Sequence, residues 1–158
     1  MRVKFRGAVT NARTAKMLAE AERIYGAKIV IVQGSYRGGA TSASAGTHDG
    51  GGVVDLSVRG LTRPQINRLV RALRTVGFAA WFRSEIPGLW GAHIHAVAIG
   101  TRDLAPVAAR QVTAYRHGRN GLANAALDRH RNMNIPVRTW EQYKRQRDRA
   151  RRPSATRP

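Results

Sequence analysis

The chain has 158 residues, no cysteine, and 28 Lys and Arg against 9 Asp and Glu, a formal net charge of +19. That length suits one domain able to bury its own core, and the lack of cysteine excludes disulfides, thiolate metal sites and a cysteine nucleophile, so any metal must be held by His, Asp or Glu. No stretch approaches the roughly 18 apolar residues of a membrane span, the first residues lack the apolar run of a signal peptide, so synthesis as a soluble cytoplasmic product is expected, and the charge points to a polyanionic partner such as nucleic acid, anionic lipid or a phosphate-bearing wall polymer.

Asn11 or Thr10 caps a predicted helix over residues 11–25, with Ala15, Leu18, Ala21, Ile24 and Tyr25 near a 3.6 period and Gly26 as its stop. Lys28 to Gln33 is a short β-branched run bounded by Gly26 and Gly34, which predicts a buried strand. Residues 34–52 are dominated by Gly, Ser, Thr and Ala, the composition of a long functional loop, and they contain His48. Val53 to Val58 predicts a second strand, whose period of two puts Val54, Leu56 and Val58 on one face and Val53, Asp55 and Ser57 on the other. Thr62 then caps a helix with Pro64 in its first turn, the stripe Ile66, Leu69, Val70, Leu73, and Gly77 at its end. Phe78 to Phe82 and His93 to Ile99 predict two further strands on either side of a turn at Pro87-Gly88. Ala105 to Arg116 predicts a third helix with Val107, Ala108, Val112 and Tyr115 inward.

Past Gly121 the apolar pattern thins, with Leu122, Leu127, Ile135, Val137, Trp140 and Tyr143 able to pack as an appendage. From Arg129 to Pro158 there are ten basic residues against Glu141 and Asp148, and from Lys144 onward the pattern reads as a frayed helix end and a solvated tail. A domain over residues 1–120 and a basic, partly disordered extension over 121–158 are therefore expected.

Two fragments carry chemistry. In Thr47-His-Asp-Gly-Gly-Gly-Val-Val-Asp55 a glycine-rich turn joins His48 to Asp55 and lets the loop imidazole fold back onto the strand that carries the carboxylate. In His93-Ile-His95 both imidazoles project to one side of a strand. The pair His48 and Asp55 with one histidine of the second fragment makes three ligands and leaves a fourth position open, the pattern of a catalytic metal. His117 and His130 lie in basic, polar contexts and read as solvated.

The ordered motifs G-S-Y-R at 34–37, H-x-x-G-x-x-x-D-L at His48 to Leu56, and W-x-x-H-x-H at Trp90 to His95 resemble the zinc peptidases that cut peptidoglycan. These are the D-alanyl-D-alanine carboxypeptidases and L-alanyl-D-glutamate endopeptidases, in the wider group shared with lysostaphin-type enzymes and the hedgehog signalling domain. The resemblance spans about residues 10–100. It implies zinc ligands His48, Asp55 and His95. One branch of the group places a glutamate base three residues before the last ligand, where this chain has Ala92. The chain is similar instead to the branch in which the first histidine of H-x-H is the acid-base group, which implies His93, with Glu85 as the fallback. Arg37 is implied to hold a substrate carboxylate or the developing oxyanion. A serine usually precedes the first ligand by two residues; here that position is Gly46, with Ser42, Ser44 and Thr47 nearby.

The expected fold is α+β, with a small antiparallel sheet of about four strands carrying the metal site, helices around it, and the basic C-terminal extension. The expected function is that of a Zn²⁺ metallopeptidase, a monomer hydrolysing a peptide bond of peptidoglycan and drawn by its tail to an anionic wall polymer. With a cytoplasmic origin, such an enzyme resembles a phage endolysin released through membrane pores to act at the cell wall. Two other readings are a nucleic-acid-binding or virion-associated protein whose arginines contact phosphates, and a non-catalytic zinc domain that binds wall peptides.

Overall fold

The computed structural model describes residues 1–38 and 45–154. It is α+β, with four helices and two antiparallel sheets. An N-terminal hairpin pairs β1 (Arg2–Phe5) with β2 (Ala8–Asn11). The second sheet holds β3 (Ile31–Gln33), β4 (Val53–Ser57), β5 (Phe78–Arg83) and β6 (His93–Ala98) in the order β3-β4-β6-β5. The helices are α1 (Ala12–Tyr25), α2 (Arg63–Val76), α3 (Pro106–Arg116) and α4 (Trp140–Arg151). No helix among the described residues is long and apolar enough to cross a membrane.

The helix limits follow from local chemistry. The Asn11 side chain accepts the Thr14 N–H at 2.7 Å, which satisfies one of the unpaired donors of the first turn of α1. Thr62 and Gln65 form a reciprocal capping box at α2, and Thr139 with Gln142 does the same at α4. Gly77 ends α2 with φ 111°, and a Cβ there would meet the Trp140 nitrogen at 2.8 Å, so the same glycine stops one helix and admits the start of another.

The alternation of the strands divides the sheet into two unlike faces. Even-numbered side chains, among them Val54, Leu56, Phe78, Ala80, Ile94 and Ala96, join the main core beneath α1 and α2. Odd-numbered ones, Val53, Ala79, Trp81 and Val97, pack under Ala108 and Tyr115 of α3. The odd face continues past the end of α3's apolar contacts, and there it carries Asp55, Arg83, His93 and His95.

Three differences from the sequence reading have physical causes. The hairpin β1-β2 lies outside the expected elements: Arg2-Val3-Lys4-Phe5 does alternate polar and apolar, with Phe5 packed against the core, but strands of four residues are too short for that alternation to stand out. On α1 the buried stripe is Thr14, Met17, Leu18 and Ala21 and continues to Tyr25, which packs against the core, while Ile24 falls on the exposed side of the helix. Beyond residue 121 the chain contributes to the main body. Asp128 is buried and ion-paired with Arg74 at 2.7 Å, Trp140 and Tyr143 enter the core, and α4 runs on to Arg151 where a fraying end was expected.

The α1–α4 contact is partly electrostatic. Glu20 accepts the Tyr143 hydroxyl at 2.6 Å and an Arg23 N–H at 2.9 Å, and Arg147 lies 3.5 Å away. Hydrogen bonding from Arg23, opposed by burial and aided by Tyr143, pulls the Glu20 carboxyl from near 4.5 down to about 2. A depressed carboxyl contributes stability above its unfolded value and loses it as the proton goes on. The docking of α4 should therefore be intact above pH 4.5 and weaken as pH falls toward about 2. Near-ultraviolet circular dichroism, which reads the stacked Trp140 and Tyr143 rings, should show an acid step that Glu20→Gln removes in part. Superimposable acid titrations of the two proteins would refute this role.

Candidate metal centre

His48, Asp55 and His95 converge, with one ligand atom from each lying within 4.8 Å of the others. The triad is buried and could hold a metal ion. Strand pairing brings two of the three together, because Asp55 of β4 stands directly opposite His95 of β6. The third arrives through the loop. The Arg37 N–H donates to the His48 carbonyl oxygen at 2.8 Å, and the Tyr36 N–H donates to that of Gly50 at 2.9 Å, so the loop runs back along the chain that follows β3.

The glycines next to His48 permit a close backbone approach. A Cβ on Gly50 would meet the Asp103 carbonyl oxygen at 2.2 Å, and one on Gly51 would meet the Asp103 carboxylate at 2.4 Å. Asp103 in turn accepts from the Tyr36 hydroxyl at 2.6 Å and the Gly51 N–H at 2.8 Å. Any side chain at either glycine displaces the segment that seats His48.

The protonation pattern of the site is set from outside it. The His48 Nδ1 is 2.9 Å from the Gly34 carbonyl oxygen, which can only accept, so Nδ1 carries the proton. A neutral His48 then presents the Nε2 lone pair to Asp55 Oδ2, 3.3 Å away. Gln111 of α3 gives its amide N–H to the Gly121 carbonyl oxygen at 3.3 Å, which turns its Oε1 toward His95 Nε2 at 2.8 Å. His95 therefore carries its proton on Nε2 and presents the Nδ1 lone pair to Asp55 Oδ1, also 2.8 Å away. Two lone pairs thus face a carboxylate, an arrangement that calls for a cation among them. Burial pushes the His95 imidazole down from its ordinary value, more than the Asp55 hydrogen bond and charge restore, so a proton is a poor candidate there. Burial raises the Asp55 carboxyl, and hydrogen bonds and positive charge from His48 and His95, which act when those nitrogens carry protons in place of bare lone pairs, outweigh that and hold it well below the usual carboxylate range. The donor set of two neutral imidazoles and one ionised carboxylate fits a divalent ion.

His93 stands beside the triad. Its Nδ1 faces the Gly91 carbonyl oxygen at 2.8 Å, and its Nε2 points toward Asp55 Oδ1 at 3.9 Å. Together with Asp55 and His95 it lines a cavity of about 860 Å³. Glu85 is exposed in the loop after β5 and is not on that cavity's wall. Arg37 is also exposed and off the wall, touching the site through its backbone. Ser42 and Ser44 lie outside the described residues, and Thr47 lines the cavity.

Two residues of the site went unread in the sequence. Gln111 occupies the inward side of α3 between Ala108 and Tyr115, and a glutamine within an apolar helical stripe is the signal that would have found it. Arg83 extends β5 by one residue beyond the expected strand. It shares the odd face with Trp81, whose ring stacks on His95 with centroids 6.3 Å apart.

Because Gln111 fixes the ring orientation and tautomer of His95 without being one of the three candidate ligands, Gln111→Ala should weaken metal affinity by about 10- to 100-fold while the fold persists. Competition with a calibrated chelator checks this, and an unchanged affinity would show that the Gln111 contact is only structural.

Comparison of the chain with family models, with curated proteins and with solved structures finds no match in any of the three.

Proposed function

We propose that the chain is a zinc-dependent peptidase that hydrolyses a peptide bond in peptidoglycan stem peptides or cross-links. The observation that supports this most is the convergence of the His48 and His95 lone pairs with the Asp55 carboxylate, at the wall of a cavity that also holds the free nitrogen of His93. Zinc bound by His48, Asp55 and His95 would supply Lewis acidity, polarising a carbonyl and lowering the pKa of water from 15.7 toward about 7. His93 Nε2 takes the proton of the attacking water and returns it to the leaving amine, with Nδ1 held by Gly91 so that the lone pair faces the reaction. The position of His93 on the cavity wall, and of Glu85 off it, favours the histidine as the base. Action at the wall after phage-mediated release, with the basic C-terminal region attracted to an anionic wall polymer, completes the reading.

Protein purified without chelator should contain about one zinc per chain and release new peptide termini from purified peptidoglycan, read by mass spectrometry. Removing the metal should stop that release. His93→Ala should keep the metal and lose about 10² to 10⁴ in rate. Zinc uptake without any new termini would support the non-catalytic zinc domain instead, and activity indifferent to chelator would reject the metal mechanism.

A second reading rests on a different observation. Arg145, Arg149, Arg151 and Arg152 are exposed along and just past α4 with no acidic partner among the described residues, a suitable surface for phosphate contact. A tight, salt-sensitive affinity for DNA that is unaffected by metal removal would favour that reading.

A further inference from the structure

Arg83 is 6% exposed and stands opposite His93 in the β5-β6 pairing, on the wall of the cavity that contains the metal centre. Its Nη1 donates to the Asn120 carbonyl oxygen, and the guanidinium lies 4.9 Å from the centroid of the Trp81 ring. Its Nη2 has no hydrogen-bond partner among the described residues. A buried cationic donor left unpaired is costly, and such groups in folded proteins usually have a reason. No carboxylate forms an ion pair with it among the described residues. Asp55, the one acid on the cavity wall among the described residues, is already engaged by the two imidazoles. Burial lowers the Arg83 pKa to about 10, which still leaves a full cation at neutral pH.

The surroundings add two facts. Arg110 of α3 also lines the cavity, so Asp55 is outnumbered by cations even before a metal is counted. A second cavity of about 280 Å³ shares Arg83, Trp90, Leu122 and Asn124 with the first, so the guanidinium stands in the wall common to both. What covers Nη2 includes Gly121 of the irregular turn at 120–124, where an added Cβ would lie 3.3 Å from it.

We propose that Arg83 is a specificity-determining residue that binds a carboxylate of the ligand, so that the cavity takes an anionic peptide with its acidic group at Arg83 and a carbonyl at the His48, Asp55 and His95 centre. This rests on the peptidase reading and names the class of substrate. A guanidinium suits the task because its planar fork can give two parallel N–H donors to one carboxylate. Because Nη2 is buried beside Gly121, this contact requires the 120–124 turn to move aside as the ligand binds. The carboxylate belongs either to a chain terminus or to an acidic side chain.

Three probes separate the sources: acetyl-Ala-Ala with a free terminus, its C-terminal amide, and acetyl-Ala-Glu amide. Calorimetry and the fluorescence of Trp81, which contacts both Arg83 and the turn, would be recorded on zinc-loaded and on metal-free protein. The expected result is that one carboxylate probe binds about tenfold or more tightly than the neutral amide. The preferred probe identifies the source. The preference should hold without metal, disappear in Arg83→Gln and survive in part in Arg83→Lys. Equal binding of all three probes by the unaltered protein overturns the proposal without recourse to any variant, as does no binding of either carboxylate probe at millimolar concentration. A preference that vanishes with the metal, or that persists in Arg83→Gln, places the carboxylate elsewhere and overturns it too. Failure to cut peptidoglycan alongside an intact, Arg83-dependent preference counts against the peptidase reading alone.

Discussion

The pairing of β4 with β6 is the constraint on which the site depends. Their register sets Asp55 opposite His95 and Ser57 opposite His93, and β6 is hydrogen-bonded on its other edge to β5, which sets Trp81 and Arg83 beside the same two histidines. A slip of one residue would drive His93, His95 and Asp55 into the apolar core and expose Ile94 and Leu56. The core therefore enforces the site. Burial of Val54, Leu56, Ile94, Ala96 and Ala98 on the even face excludes one-residue slips, and the observed register brings carboxylate and imidazole together.

Electrostatics then give the site its character. Each histidine is oriented by a carbonyl-type oxygen outside the triad: Gly34 for His48, Gln111 for His95, Gly91 for His93. These acceptors come from the chain after β3, from α3 and from the loop before β6, so three separate segments determine which nitrogen is bare. With those nitrogens bare, the triad is a cluster of acceptors that could hold a metal ion. The same cavity wall holds Arg83, so the region around the carboxylate is positive on more than one side.

Much of this was legible in the sequence, and the remainder was not for identifiable reasons. The strands carrying His48's partner and the H-x-H pair stood out because β-branched runs between glycines have few alternatives, and the two-residue period already separated Asp55 from Leu56. The α2 stripe Ile66, Leu69, Val70 and Leu73 is buried as the period implies. Periodicity is silent on contacts made across chain distance. Gln111 lies 16 residues from His95 in sequence, and Arg83 reaches Asn120 across 37, so neither forms a local motif. The hairpin β1-β2 is too short for its alternation to stand out, and the entry of Trp140 into the core depends on Gly77 leaving space for it, a matter of packing instead of pattern.

The placement of α4 bears on the order in which the molecule is made. Arg13 meets Glu141 across 128 residues and Glu20 meets Tyr143 across 123, so the helix that lays its aromatic pair on the core belongs to the last part of the described chain to be translated. Until it emerges, the face formed by α1 and the end of α2 lacks Trp140 and stays open to solvent and to other chains. The sheet and the His48, Asp55 and His95 triad are all synthesised before that point. A nascent molecule thus passes through a stage in which the site's backbone can pair while its opposite side still exposes apolar surface, the interval in which a chaperone has most to cover.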